Sequence, residues 1–240
     1  MIDLHSHILP GIDDGADSME DALEMARIAV DGGTDVIVAA SHGDFSVDDA
    51  GEYLEFYQKT LSEFRSELEK NRIPLRVLSG MELLVSEKLL RYAEEHPLPS
   101  LNGGAYLLVE FLFDISARRA KDWLGRLLEK GWKIVLAHPE RYDFVRKNPA
   151  ELYDLYDSGA VLQVNKGSLK GEFGRSAFRA ADLMLREGIA GAVASDAHDP
   201  VLRTPDLYDA AEILDLHYGR DAAEILLERN PGRILGKRGM

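Results

Sequence analysis

Histidines and carboxylates recur at short spacing in this chain, each time beside an apolar run. His5 and His7 lie two positions apart in "DLHSH". Asp196 and His198 repeat that spacing in "ASDAHD". Side chains two positions apart on a strand point to the same face of a sheet. Imidazole and carboxylate groups gathered on one face are typical of a transition-metal site.

Five further residues of these types lie at or just after other apolar runs. They are Asp14, His42, Glu82, Glu110 and His138. Any single histidine after a strand is more often an ordinary polar residue than a ligand. Glu110 is harder to explain in that way, because it interrupts "YLLVEF", and a buried carboxylate needs a cation or several hydrogen bonds. The repetition at equivalent positions therefore predicts a metal site.

Nine candidate ligands exceed what one ion needs, since a catalytic zinc takes about three protein ligands. We therefore predict two or three divalent ions bridged by carboxylates. A mixture of imidazoles and carboxylates favours Mn, Fe or Zn over Ca or Mg. Such clusters supply a metal-bound hydroxide at neutral pH and stabilise the oxygens of an in-line displacement. Hydrolysis of a phosphate ester is the predicted reaction.

Two arginines each follow a candidate histidine by a few residues. Arg141 lies in "AHPER" and Arg203 lies in "SDAHDPVLR". A guanidinium fork is suited to a phosphoryl group, so both are predicted to bind the substrate phosphate and to act in catalysis. For protonation of the leaving group, Asp14 and Asp199 both remain candidates.

The elements that would position these residues alternate along the chain. Predicted strands cover 2–5, 35–41, 75–80, 106–111, 133–137, 160–165 and 191–195. Predicted helices cover 18–32, 48–71, 85–95, 116–130, 148–158, 175–187, 206–217 and 220–229. The strands are apolar almost throughout, as in a parallel sheet buried on both faces. The candidate ligands follow strand ends, where such folds build their active sites.

This alternation continues without a linker or a change in composition. It predicts a single domain over 1–240, closed or nearly closed into a barrel. An open doubly wound sheet is the alternative. No Gly-x-Gly-x-x-Gly or Walker-type loop follows a predicted strand, which disfavours a nucleotide-binding version of that sheet.

Composition excludes several classes of function. The net charge is −14, from 42 acidic and 28 basic residues, which argues against binding to nucleic acid or to anionic membranes. The absence of cysteine excludes disulfides, thiolate zinc sites and a cysteine nucleophile. No signal-peptide pattern follows Met1, and the longest apolar run, "AYLLVEFLF", is too short to span a bilayer. We therefore expect a cytoplasmic protein without stable membrane insertion.

Together the motifs "DLHSH", "HILPGIDDGA", "VIVAASH", "LVEF", "AHPER" and "ASDAH" resemble the polymerase-and-histidinol-phosphatase (PHP) superfamily. They are more similar to its bacterial protein-tyrosine phosphatases of the YwqE, CpsB and CapC type, linked to capsule and exopolysaccharide regulation. The resemblance implies a distorted TIM-like (β/α)7 barrel with a trinuclear, typically manganese-dependent site. It also implies a homo-oligomer and a phosphotyrosine substrate on a partner tyrosine kinase of polysaccharide export.

The resemblance further implies how the ligands are divided among three ions. One ion would be held by His5, His7, Glu82 and Asp196. The second would be held by Asp14, His42 and His198. The third would be held by Glu82, Glu110 and His138. Arg141 and Arg203 match the arginines expected to bind the phosphoryl group.

One position departs from the family pattern. Relatives commonly carry two consecutive histidines after the second strand, whereas Gly43 follows His42 here. We expect this to change substrate contact or protonation of the leaving group rather than metal binding. The acidic segment "GDFSVDDAGEY" follows at the expected edge and would disfavour acidic phosphopeptides. In "GIDDG", Asp14 is predicted as the ligand, and Asp13 as a turn former or a support for a ligand.

Three functions remain open at this stage. The first is a metal-dependent phosphatase that acts on phosphotyrosine. The second is a small-molecule phosphoesterase of the same superfamily, such as a histidinol-phosphate phosphatase. The third is a catalytically silent regulatory protein that only binds metal, against which the full set of ligands argues.

Overall fold

Short parallel strands form the centre of the fold. The computed structural model describes residues 1–43, 45 and 50–236. Its strands are β1 (Ile2–Ser6), β2 (Val36–Ala39), β3 (His42–Gly43), β4 (Arg76–Ser79), β5 (Glu82–Leu84), β6 (Tyr106–Glu110), β7 (Lys133–Ala137), β8 (Val161–Asn165) and β9 (Ala190–Ala194). All pairs of neighbouring strands are parallel.

The strands form two sheets that share the wall of one barrel. One sheet has the order β1-β2-β4, and the other has the order β3-β5-β6-β7-β8-β9. β3 follows β2 closely in the chain, and β5 follows β4 closely, but β3 and β5 belong to the larger sheet. At these two places in the barrel wall the chain therefore passes from one sheet to the other. Backbone bonds from Asp196 N to His5 O and from His7 N to Ala197 O, both 2.8 Å, join the end of β9 to β1. The predicted α/β barrel is confirmed.

Helices connect the strands. They are α1 (Met19–Asp31), α2 (Ala50–Lys70), α3 (Glu87–Glu95), α4 (Ala117–Glu129), α5 (Asp143–Lys147), α6 (Glu151–Asp157), α7 (Lys166–Leu169), α8 (Arg175–Arg186), α9 (Tyr208–His217), α10 (Ala222–Glu224) and α11 (Asn230–Leu235). A π-helical turn, Ile225–Arg229, joins the last two, and 3-10 turns cover Leu101–Gly103 and Pro139–Arg141. Within the described ranges, none of the helices has the length and apolar composition needed to cross a membrane.

Helix ends follow the local sequence signals. The Ser18 side chain accepts a hydrogen bond from Asp21 N at 3.2 Å and so caps α1. Gly131 and Gly159 follow α4 and α6 with φ of 88° and 91°, a conformation that favours glycine. The helix predicted over 148–158 is shorter in the structure, because α6 begins only after Pro149. The preceding helix, α5, is separate from it. The first two residues of the helix predicted over 48–71 lie outside the described residues.

Alternate strand residues pack on the two sides of the barrel wall. Leu107 and Ile134 belong to the large cluster shared with the helices. Leu108 and Val135 belong to a smaller cluster that involves strand residues together with Leu101, Ile234 and Leu235. This second cluster fills the barrel interior, so polar side chains of the interior gather at the carboxyl ends of the strands.

Candidate metal centre

The structure brings all nine predicted ligands to the carboxyl-terminal end of the barrel. They form four groups in which the ligand atoms lie within 4.8 Å of one another. The groups are His7, Asp14, His42 and His198; His5, His7 and Asp196; His5, Glu82 and His138; and His42, Glu82 and Glu110. Because residues are shared between groups, the nine side chains form one continuous cluster.

The observed groups differ in one respect from the division that the resemblance implied. His138 lies with His5, and Glu110 lies with His42, rather than both in one group with Glu82. The two remain near each other, with 3.9 Å between His138 Nε2 and Glu110 Oε2.

Glu82 is the central carboxylate of the cluster. Its Oε2 lies 3.2 Å from His5 Nε2 and 3.4 Å from His7 Nε2. The same oxygen lies 3.2 Å from His42 Nδ1. Its Oε1 lies 2.8 Å from His138 Nε2. Glu82 therefore offers carboxylate oxygens to two of the four ligand groups.

Asp196 contacts the histidines through one oxygen and the arginines through the other. Its Oδ1 lies 3.4 Å from His5 Nε2 and 3.5 Å from His7 Nε2. Its Oδ2 accepts a hydrogen bond from Arg141 Nη1 at 2.9 Å and forms an ion pair with Arg203 Nη2 at 2.7 Å. The predicted ligands and the predicted phosphate-binding arginines therefore meet at one carboxylate.

Two polar side chains fix the orientation of the first two histidines. Gln163 Oε1 lies 2.9 Å from His5 Nδ1, and Asp13 Oδ2 lies 2.8 Å from His7 Nδ1. Partners of this kind leave the opposite nitrogen, Nε2, free to face a metal. Asp13 also accepts from Gly15 N at 3.0 Å, so it both forms the turn and supports a ligand. Sequence reasoning missed Gln163, although a polar residue inside "AVLQVN" was a usable signal.

The backbone is left-handed at two of the candidate ligands. His138 has φ of 35° and Asp196 has φ of 50°. This region is unfavourable for residues other than glycine and is often retained at functional sites. Here it directs a side chain into the cluster immediately after a strand has ended.

A buried network not predicted from sequence supports Asp196. Glu140 is fully buried, and its Oε1 accepts from Asn165 N at 2.9 Å and from Ser168 Oγ at 2.7 Å. Asn165 Nδ2 in turn donates to Asp196 Oδ2. Burial raises the pKa of the Glu140 carboxyl. The network connects the Pro139–Arg141 turn to the end of β8 and to Asp196.

The loop that carries Arg203 is built by local hydrogen bonds. The Asp199 carboxylate accepts from the backbone of Val201, Leu202 and Arg203. These bonds lower the pKa of Asp199 although its partial burial opposes the change. Lys166 Nζ donates to Thr204 O and, at 2.7 Å, to Asp206 O, and thereby joins the loop to the end of β8.

The pKa values of two carboxylates in the cluster, Glu82 and Asp196, are lowered, which favours their ionised forms. Burial favours the neutral form of Glu82, but His5 and His138 beside it hold its pKa well below the usual range. Burial also opposes ionisation of Asp196, but the charge of His5 and a hydrogen bond with His7 lower its pKa. The cluster thus concentrates negative charge in a buried place, which suits divalent cations.

The histidines of the cluster differ in their protonation. Burial alone lowers the pKa of His42, but hydrogen bonds with Glu110 and Glu82 raise it to about 10. Burial and the neighbouring His7 lower the pKa of His198 to about 4. Imidazole nitrogens and carboxylate oxygens are the donors that Mn, Fe and Zn accept, so the residues present fit such ions.

Other polar residues of the chain lie outside the cluster or fall partly outside the described residues. His96 stacks on Tyr92 with 4.4 Å between ring centroids and belongs to none of the four groups. A Cβ atom on Gly43 would lie 2.8 Å from Leu83 Cδ2, so a second histidine after His42 would require Leu83 to move. Residues 44 and 46–49 of the acidic segment lie outside the described residues.

Fold and cluster together define an α/β barrel with a candidate polynuclear metal centre at its carboxyl-terminal end. Residues 1–236 match the family described as capsular polysaccharide synthesis, CpsB/CapC, and the chain belongs to that family. The resemblance identified from the motifs is confirmed.

Relatives of the chain carry consistent names. The chain is 37% identical over 232 residues to the tyrosine-protein phosphatase YwqE of Bacillus subtilis, covering 95% of this chain and 89% of that protein. It is 29% identical over 240 residues to the tyrosine-protein phosphatase CpsB of Streptococcus agalactiae, covering 98% of both.

A solved structure agrees with these relatives. It belongs to a set of crystal structures of YwqE from Bacillus subtilis and CpsB from Streptococcus pneumoniae, which are called unique metal-dependent tyrosine phosphatases. The TM-score is 0.87 at 34% identity, with 98% of this chain and 94% of that chain covered. The likeness extends over nearly the whole described barrel.

Proposed function

We propose that this chain is a metal-dependent protein-tyrosine phosphatase whose substrate is a phosphotyrosine protein, a tyrosine kinase of capsule or exopolysaccharide synthesis. The relatives' names support the activity. The observation that carries the proposal is the position of Asp196, whose Oδ1 faces His5 and His7 while its Oδ2 forms ion pairs with Arg141 and Arg203. A phosphoryl group bound beside Asp196 would lie next to the metal-binding histidines and next to the guanidinium donors.

The proposed site holds two or three divalent ions, with manganese as the proposed metal. Their ligands are His5, His7, Asp14, His42, Glu82, Glu110, His138, Asp196 and His198. Ions bound here would supply a nucleophile at neutral pH and neutralise charge on the phosphoryl oxygens. The carboxylates and the oriented histidines supply the geometry that such ions require.

The arginines supply the remaining stabilisation. Arg141 and Arg203 have side chains 18% and 31% exposed, so each presents N–H groups to solvent beside the cluster. Each is also fixed by Asp196, which reduces the entropy lost when a phosphoryl group binds. We propose that both donate to the equatorial oxygens as negative charge develops there.

For the proton needed by the leaving phenolate, the contacts favour a donor beside Asp14 over one at Asp199. Asp14 Oδ1 lies 3.3 Å from His42 Nε2, and the Asp14 side chain is 68% exposed at the open side of the cluster. Asp199 uses its carboxylate oxygens in the turn that precedes Arg203. The proposed donor is therefore a water beside Asp14, because a carboxylate that binds a metal ion is itself ionised.

The proposal includes the organisation of the protein. We propose that residues 1–240 form one domain, because the strands of both sheets lie in one closed wall. We also propose that the protein works in the cytoplasm and forms a homo-oligomer. Light scattering on the purified protein tests the oligomer.

Turnover of three matched substrates tests the function. The protein is stripped with a chelator, reloaded with Mn²⁺, and assayed on a phosphotyrosyl peptide, the matching phosphoseryl peptide and histidinol phosphate. We expect turnover of the phosphotyrosyl peptide that depends on the metal, and little turnover of the other two. Preferential turnover of histidinol phosphate would favour the small-molecule phosphoesterase instead. No turnover of any of them, with metal bound, would contradict an enzymatic role.

A further inference from the structure

A small cleft opens beside Arg141, outside the four ligand groups. Its volume is about 200 Å³, and it is lined by Phe113, Arg141, Arg146, Phe173 and Ala177. Pockets that hold a whole small-molecule ligand usually measure about 300–1,000 Å³. The cleft is therefore of a size for one side chain, and its wall combines two guanidinium groups with two aromatic rings.

Arg141 connects the cleft to the metal centre. Its Cζ atom lies 4.7 Å from the ring centroid of Phe113 and 4.2 Å from that of Phe173, while its Nη1 bonds Asp196. The Phe113 ring also lies 5.8 Å from the His138 ring. The wall of the cleft therefore continues directly into the candidate metal centre, and cation–π contacts hold Arg141 in place.

Arg146 provides the second positive charge. It lies on α5, its Nε donates to Ser176 Oγ at 2.9 Å, and its Nη1 lies 3.7 Å from Asp143 Oδ1. Its side chain is 42% exposed, and the ion pair with Asp143 is long and solvated. Two guanidinium groups in one cleft form a local site for an anion, on a chain with a net charge of −14.

We propose that this cleft binds the carboxylate side chain of a glutamate or aspartate close to the phosphotyrosine of the substrate. This inference rests on the proposed function. Arginine forks match carboxylates, and the rings of Phe113 and Phe173 pack against the methylene groups of a glutamate. Because Arg141 borders both places, the acidic residue lies within about three residues of the phosphotyrosine, given a rise of about 3.3 Å per extended residue.

Paired peptides test the subsite. Phosphotyrosyl peptides with Glu or Gln at each position from −3 to +3 are compared by kcat/KM for the wild type and for Arg146→Gln, in the Mn²⁺-loaded protein. At one of these positions we expect the wild type to prefer Glu by about fivefold, the upper end for a half-exposed ion pair. Arg146→Gln should reduce that preference, because Arg141 is then the remaining guanidinium group of the cleft. An Arg146→Glu variant should prefer the peptide with Lys at the same position.

Two controls separate the subsite from the rest of the protein. Arg27 has a similarly exposed side chain, 47%, with a single ion pair to Glu24 on α1. Arg27→Gln should keep the full preference. Turnover of p-nitrophenyl phosphate, which lacks flanking residues, should be the same in Arg146→Gln and in the wild type.

The outcome distinguishes the subsite from the proposed function. Equal kcat/KM for the Glu and Gln peptides at every position overturns the subsite while leaving the phosphatase in place. A preference that is as large in Arg146→Gln as in the wild type overturns it as well. If no phosphotyrosyl peptide is hydrolysed, the proposed function fails. In that case, fluorescence anisotropy with labelled versions of these peptides compares the binding affinities of the Glu and Gln peptides. Equal affinities for the two peptides overturn the subsite.

Discussion

The Nε2 atom of His138 lies 2.8 Å from Oε1 of Glu82, although 56 positions separate the two residues. His138 follows β7, and Glu82 follows the carboxyl end of β4 and begins β5, with β6 between β5 and β7. Parallel strands bring their carboxyl ends to one edge, so residues distant in sequence meet there. This contact shows how the barrel brings residues that are distant in sequence together at the candidate metal centre.

The left-handed backbone at His138 predicts a difference between two variants. Both His138→Ala and His138→Gly remove the imidazole, but only glycine adopts a φ of 35° without steric cost. We expect His138→Gly to be more stable than His138→Ala by about 1–2 kcal/mol. Urea unfolding of the metal-free proteins measures the difference, and equal free energies of unfolding would show that the backbone stores no strain there.

The contact between Gln163 and His5 predicts an effect on metal affinity. Gln163→Leu removes the acceptor of His5 Nδ1, so the ring loses its fixed orientation. Loss of such a partner typically lowers metal affinity by about 10–100-fold. Gln163→Glu keeps an acceptor at this place and should retain most of the affinity. Calorimetric titration with Mn²⁺ compares the variants. If Gln163→Leu bound Mn²⁺ as tightly as the wild type, Gln163 would have no role in orienting His5.

The raised pKa of His42 predicts that metal binding releases a proton. With a pKa of about 10, His42 is protonated at pH 7 in the metal-free protein, and a metal ion requires the unprotonated nitrogen. Metal affinity should therefore fall as the pH falls from 8 to 6, by about tenfold per unit for one proton. His198, with a pKa of about 4, is already neutral and releases none. Calorimetry in two buffers of different protonation enthalpy measures the release, and identical heats would contradict it.

The close approach of Gly15 to His7 predicts that this glycine is required. A Cβ atom at position 15 would lie 2.0 Å from the His7 carbonyl oxygen and 2.6 Å from His7 Cβ. We expect Gly15→Ala to lower the free energy of unfolding by about 1–3 kcal/mol and to weaken metal binding. Among the described residues, no atom lies within 4 Å of the Cβ position of Gly125 on α4, so Gly125→Ala should be neutral or stabilising. A stable Gly15→Ala protein with normal metal binding would show that the turn can shift freely.

Much of the barrel and of the cluster was predictable because both leave chemical signals in the sequence. Apolar runs predicted the strands, and Glu110 inside such a run could not be explained as a surface residue. The histidines after the first and fifth predicted strands gave the rest of the pattern. These signals are local, so a single sequence is enough to detect them.

Other features depend on tertiary contacts and leave no local signal. Nothing in "LSGMEL" shows that the chain leaves one sheet after Ser79 and joins the other at Glu82. Phe113 and Phe173 are ordinary apolar residues in sequence, and only the fold places both beside Arg141. Glu140 lies next to predicted site residues, but its burial against Asn165 depends on β8.

The cluster is predicted to bind the divalent ions that hydrolysis of phosphotyrosine requires. The most direct test of this metal requirement follows the stripped wild type and His138→Ala during reloading with Mn²⁺. Mass spectrometry counts the ions per chain, while turnover of a phosphotyrosyl peptide is measured in parallel. We predict two or three ions per wild-type chain and turnover that rises as they bind. His138→Ala should bind fewer ions, with turnover lower by about 100-fold. Full turnover by the stripped protein, or by His138→Ala, would contradict the account.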